Sequence, residues 1–120
     1  GKLAIQVDAN KDDQQPGYIL TSVIKNTEVP VYDIVKEAVN GNIDKMDRAQ
    51  TYSLASGAAS ITDLSEISKH IQDSGKDKWE EIKTEIKDVE DKISDGTIVV
   101  TDAQSGEEFD ASKCPNVTVK

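Results

Sequence analysis

Two charged residues stand where short apolar runs end. Residues 5–7 lead into Asp8, and residues 18–24 lead into Lys25. An aspartate carboxylate can accept two hydrogen bonds from vicinal hydroxyls of the kind a ribose presents. A lysine ammonium beside it can donate to the same hydroxyls and hold the carboxylate ionised. If both runs are strands, both residues lie at the carboxyl edge of a sheet, where open α/β folds bind their ligands. Asp8 and Lys25 are therefore the first candidates for a polar ligand site. The plainer reading of the same pair is an internal salt bridge that orders the loop between them.

The elements that must position this pair are legible around it. Residues 3–7 read as a buried strand, short, apolar and β-branched. Residues 9–17 form a polar loop whose Pro16-Gly17 marks a turn. Residues 18–24 form the second strand. Asn26-Thr27-Glu28 offers a helix start, and Pro30 suits a first turn, where its missing N–H costs nothing. Val31, Ile34, Val35, Ala38 and Val39 then give one apolar helix face, suited to packing on a sheet. Asn40-Gly41 ends that helix with a residue able to take a left-handed cap.

Further along, residues 51–54 read as a short strand and residues 55–59 as a small-residue loop. Its Gly57 would let a ligand or a backbone approach closely, or would simply make a turn. Residues 62–71 read as a short helix and residues 76–94 as a long one. In the long helix Trp79, Ile82, Ile86, Val89 and Ile93 repeat at helical spacing. Lys87/Asp91 and Asp88/Lys92 fall at i, i+4. Too few heptads follow for a coiled coil, so the stripe is assigned to packing within one globule. Residues 97–100 read as a last strand. Residues 101–120 are a polar extension with Phe109 as its aromatic residue, and Val117-Thr118-Val119 could add a strand to an edge. The expected organisation is an α/β unit over 1–100, with a mostly parallel sheet flanked by helices, and the extension at 101–120.

Chemistry beyond binding lacks its parts. The sequence holds no G-x-S-x-G, H-E-x-x-H, G-x-x-x-x-G-K-[ST] or G-x-G-x-x-G pattern. His70 reads as an exposed residue at a charged helix end. Cys114 is the only cysteine and cannot form an internal disulfide. The adjacent carboxylates Asp12-Asp13 and Glu107-Glu108 read as solvated, and no metal or cofactor is expected. A net charge of −9 opposes a nucleic-acid polymer as partner, because that needs a basic surface. A neutral ligand meets no such conflict.

The order of motifs resembles the basic-membrane-protein family, the nucleoside-binding lipoproteins of ABC importers. That family runs VDSDQ, LTSxxK, a V-x-V-Y helix, YGL-x-x-GG and a lysine-rich helix closing on I-x-x-G-x-I-x-V. Here Val7-Asp8-Ala9-Asn10, then Leu20-Thr21-Ser22-Val23-Ile24-Lys25, then Val29-Pro30-Val31-Tyr32 stand in the same order. Tyr52-Ser53-Leu54-Ala55-Ser56-Gly57-Ala58 and Ile93-Ser94-Asp95-Gly96-Thr97-Ile98-Val99-Val100 complete the series over residues 4–100.

The resemblance implies a type I periplasmic-binding-protein-like fold, of which this chain is the C-terminal portion. It implies a nucleoside ligand, purine before pyrimidine, and ABC-transporter membrane subunits as partners. Asp8 takes the place of the ribose-binding aspartate and Lys25 that of the ribose-contacting lysine. Asn10 stands where the second aspartate of VDSD lies, and Gly57-Ala58 replaces Gly-Gly. The implied location is the extracytoplasmic face of the cell membrane, held by a lipid anchor outside these residues. Gly1-Lys2 carries neither initiator methionine nor signal peptide, which fits a chain that continues upstream. Alternatives are a surface interaction protein or antigen that has lost its ligand, and a cytoplasmic ligand-sensing regulator.

Overall fold

A computed structural model describes residues 2–102, 106–108, 110 and 112. The expectations for Phe109, Cys114 and residues 117–119 lie outside the described residues. The chain is an α/β unit: a three-stranded mixed sheet in the order β1-β2-β3, with helices. Strand β1 is Ala4–Asp8, β2 is Ile19–Lys25 and β3 is Ala59–Ile61. Helix α1 is Glu28–Val39, α2 is Ser65–Ser68 and α3 is Lys76–Ser94.

Strands β1 and β2 pair in parallel, from Ala4 opposite Ile19 to Asp8 opposite Ile24, with an irregularity after Ala4. The connection between them, 9–18, is shorter than the roughly dozen residues, usually a helix, that such a crossover takes. Side-chain anchors described below make the short path possible. Strand β3 runs antiparallel to β2, with Val23 opposite Ile61 and Lys25 opposite Ala59.

The sheet therefore differs from the mostly parallel one expected. Residues 51–54 do not form a strand, because the chain reverses there. Ser56 Oγ accepts from the Ser53 amide at 2.9 Å and donates to the Ser53 carbonyl at 2.8 Å. Gly57, at φ +76°, completes the reversal in a conformation that costs a side-chain-bearing residue energy. The pairing then starts at Ala59, inside the expected loop. Residues 97–100 likewise form no strand. They fold back on the end of α3, where the Thr97 amide donates to Asp95 Oδ1 at 2.8 Å and the Ile98 amide to the Lys92 carbonyl at 2.9 Å.

Two helices follow expectation and one is shorter. Helix α1 begins with Pro30 in its first turn and stops before Gly41, which takes φ +71°. Its N-cap residue is Thr27, whose side chain makes no capping hydrogen bond. The helix expected over 62–71 shrinks to α2. Thr62 is claimed by β2, its amide donating to the Ser22 carbonyl at 3.1 Å. Asp63 Oδ1 accepts from the Ser65 amide at 3.0 Å, and Leu64 is left-handed at φ +62°. Helical geometry starts only beyond these residues.

The core is small. Leu64, Ile67 and Trp79 are buried together, with Leu20, Ile71, Ile82 and Ile86 packed against them. Trp79 Nε1 donates to Ser68 Oγ at 2.7 Å, and that hydroxyl donates to the Leu64 carbonyl at 2.7 Å. The indole thus buries its ring and satisfies its one donor, as a buried Trp requires. The apolar face of α1 does not pack on the sheet as expected. No residue of α1 is buried, and Val31, Tyr32, Val35 and Val39 are exposed. Leu3 just before β1, and Ile5 and Val7 within it, are exposed as well, so the strand expected to be buried is an open edge of the sheet. No helix among the described residues is long and apolar enough to cross a membrane.

Candidate functional site

The carboxyl edge of the parallel pair carries the first two candidates side by side. Lys25 Nζ lies 2.6 Å from Asp8 Oδ1, and both side chains are about two-thirds exposed, at 65% and 64%. The Lys25 hydrogen bond, and then its charge, hold the Asp8 carboxyl below the usual aspartate range, with Lys11 adding a smaller pull. Asp8 itself sits at φ +82°. Among residues with a side chain, aspartate tolerates this left-handed region better than most, and such strain is concentrated at functional positions.

Gly57 reaches the same edge by the antiparallel register. Strand β3 starts opposite Lys25, so the turn before it abuts the end of β2. Asn26 fastens that turn. Its amide group donates to the Gly57 carbonyl at 2.8 Å and to Ser60 Oγ at 3.3 Å, while its backbone N–H donates to the Ala58 carbonyl at 2.9 Å. A side chain at position 57 would meet open space, so the glycine serves the turn rather than a close approach.

Asn10 is not brought to the ion pair. Its Oδ1 accepts from the Asp12 amide at 3.0 Å, closing a local turn in the loop. It lines a neighbouring cleft of about 380 Å³ with Asp12, Asp13, Ser65 and Glu66. A second cleft, about 350 Å³ and apolar, lies between Ile61 and the Ile82, Ile86 and Val89 side chains of α3. Asp8 and Lys25 line neither cleft. Their edge is open to solvent on its own.

No protein-family model, curated protein or solved structure matches the chain. The site stands on its geometry alone.

Two residues that sequence reasoning passed over matter here. Asn26, read only as part of the helix start at 26–28, ties the Gly57 turn to β2. Asp12, read as solvated, is 5% exposed and accepts from Ser22 Oγ at 2.5 Å. The signal for it was Ser22, a hydroxyl in the middle of an apolar run. Ser22 has no accessible surface, at 0%, and a hydroxyl so placed must find a partner. His70 is exposed, as expected, with Nε2 3.8 Å from Glu66 Oε1. Among the described residues no group of three or more His, Cys, Asp or Glu could hold a metal ion.

Proposed function

We propose that this chain is the C-terminal part of an extracytoplasmic, lipid-anchored solute-binding protein of type I periplasmic-binding-protein fold, which captures nucleosides for an ABC importer. The observation that carries the reading is the exposed Asp8–Lys25 pair, 2.6 Å apart at the carboxyl edge of two adjacent parallel strands. Asp8 Oδ1 is engaged by Lys25, which leaves the carboxylate acceptor capacity for one sugar hydroxyl. The ammonium, with three donors, keeps capacity for the neighbouring one. Such a pair recognises a vicinal diol and adds no net charge, so a neutral nucleoside suits a chain of net charge −9. The Gly57 turn closes one side of the edge. Base contacts, closure and docking on the importer's membrane subunits belong to parts of the protein beyond these residues. The reaction is capture and release, with no bond made or broken.

Calorimetric titration of the longest natural form with adenosine, guanosine, inosine, uridine and free ribose tests this. Nucleosides bind, ribose binds weakly, and Asp8→Ala abolishes the heat. The residues described here, titrated alone, bind poorly because they supply only the sugar end. Nucleoside binding that is indifferent to Asp8→Ala, or no binding by the folded protein, overturns the reading.

A second reading, a surface interaction protein that binds no small molecule, draws on a specific observation. The exposed apolar side chains of β1 and α1 offer a surface that a protein partner would cover. The same titration separates the two, since this reading expects no heat with any nucleoside.

A further inference from the structure

Among the described residues the buried polar side chains are Asp12, Thr21, Ser22 and Thr62, and hydrogen bonds join all four. Ser22 Oγ donates to Asp12 Oδ1 at 2.5 Å and accepts from the Lys11 amide at 3.1 Å. The Ser22 amide donates to Thr62 Oγ1 at 3.2 Å, and Thr62 Oγ1 lies 2.8 Å from Thr21 Oγ1. The chain of bonds starts in loop 9–18, passes through Ser22 in the centre of β2 to Thr62 just past β3, and returns to β2 at Thr21. Buried polar networks are worth keeping only when every member is satisfied, and among the described residues no buried side-chain donor or acceptor is left without a partner.

What this network holds is the far end of β1. With its backbone fixed by Ser22, Lys11 turns its ammonium back to the Val7 carbonyl at 3.0 Å. Val7 precedes Asp8. The residue that must stay at positive φ beside Lys25 is therefore bracketed by a clamp that runs Asp12, Ser22, Lys11, Val7. The clamp also replaces the crossover helix that a parallel pair ordinarily uses. An aspartate at this backbone angle, two-thirds exposed, would sample other conformations if the loop were free.

We propose that Asp12 and Ser22 are positioning residues for the Asp8–Lys25 pair: their buried hydrogen bond pins the loop to β2, and the pinned loop presents Asp8 to the hydroxyls of a sugar. The inference rests on the nucleoside reading for its ligand only. The positioning itself is measured without one.

The test follows the Asp8 carboxyl carbon by NMR through an acid titration in the wild type, Asp12→Ala and Asp12→Asn. In the wild type Asp8 titrates below the usual aspartate range because Lys25 is held against it. In Asp12→Ala the loop is released and the midpoint rises toward that range. Asp12→Asn keeps an oxygen for the Ser22 hydroxyl, so it restores the depressed midpoint. A folded Asp12→Ala with the wild-type Asp8 midpoint overturns the proposal. Should Asp12→Ala not fold, hydrogen exchange in the wild type decides. The Lys11 amide, bonded to Ser22, should exchange on the order of tenfold more slowly than that of exposed Asp13; equal rates overturn the clamp. In the nucleoside titration Asp12→Ala weakens binding on the order of tenfold and Asp12→Asn recovers it. If the wild type binds no nucleoside, the ligand reading falls, and the Asp8 midpoint in Asp12→Ala still settles the clamp.

Discussion

Asp8 combines three properties that a solvated loop aspartate does not share: a left-handed backbone, a lysine at hydrogen-bond distance and a position where a strand stops. Its folded-state carboxyl lies below the usual aspartate value, first through the Lys25 hydrogen bond and then through the Lys25 charge. A group depressed in this way stabilises the fold above its unfolded-state pKa. That contribution is lost as pH falls through the lower folded value. Lys25→Met should therefore raise the Asp8 midpoint to the usual range, and acid unfolding of that variant should lose the corresponding pH dependence. Because the pair is exposed, salt should weaken it too. An unchanged Asp8 midpoint in Lys25→Met, read by carbon NMR, would mean that the ion pair does not form in solution. The pair itself was legible in the sequence, as charges closing two apolar runs. Asp12 was not, because residues 11–15 are uniformly polar and nothing local tells a buried carboxylate from a solvated one. Only a long-range partner, Ser22, makes the difference.

At the scale of elements, the same contrast between local and long-range causes separates what the sequence reveals from what it hides. Helix α3 was readable from end to end because its apolar residues repeat at 3 and 4. Its i, i+4 partners do meet, Lys87 with Asp91 at 2.8 Å and Lys92 with Asp88 at 2.5 Å. Strand β3 and the start of α2 were not readable. Their limits are set by Ser53–Ser56, Asp63–Ser65 and Thr62–Ser22 contacts, which compete with local propensity. The parallel pair β1–β2 was readable as two strands, but the openness of β1 was not. Helix α3 also carries the anchor of the core, which makes it the place to test what the small core contributes. Trp79→Ala removes the largest buried ring and should cost about 3–5 kcal/mol, a large part of the 5–15 kcal/mol or so typical of a domain. Trp79→Phe keeps most of the ring and loses the bond to Ser68, for about 1 kcal/mol. Denaturant unfolding followed by far-ultraviolet circular dichroism measures both. Equal losses for the two variants would show that the hydrogen bond, rather than the ring, holds α3 to α2.

Over the whole molecule, the imbalance between apolar residues and core is what calls for explanation. Apolar side chains stand exposed on both β1 and α1, which are patterned as though one strand were covered and one helix lay on a sheet. A pattern of burial without burial is what a lobe shows when its neighbours are other polypeptide, as the proposed receptor would have. This can be tested by placing charge on the open face of α1. Val35 and Val39 are 55% and 80% exposed, and lysine is a better helix former than valine. Val35→Lys with Val39→Lys should therefore change the stability of these residues taken alone by no more than about 0.5 kcal/mol. If further chain covers α1 in a longer form, as the proposed reading expects, the same pair of substitutions would bury two unpaired charges there and should lower the melting temperature sharply. Thermal melts of both forms, with and without the substitutions, give the comparison. A longer form that tolerates the lysines would leave α1 open there as well and shift the argument to the surface-interaction reading. A large loss in the short form would instead mean that α1 already finds a covering surface, in a second copy of the chain.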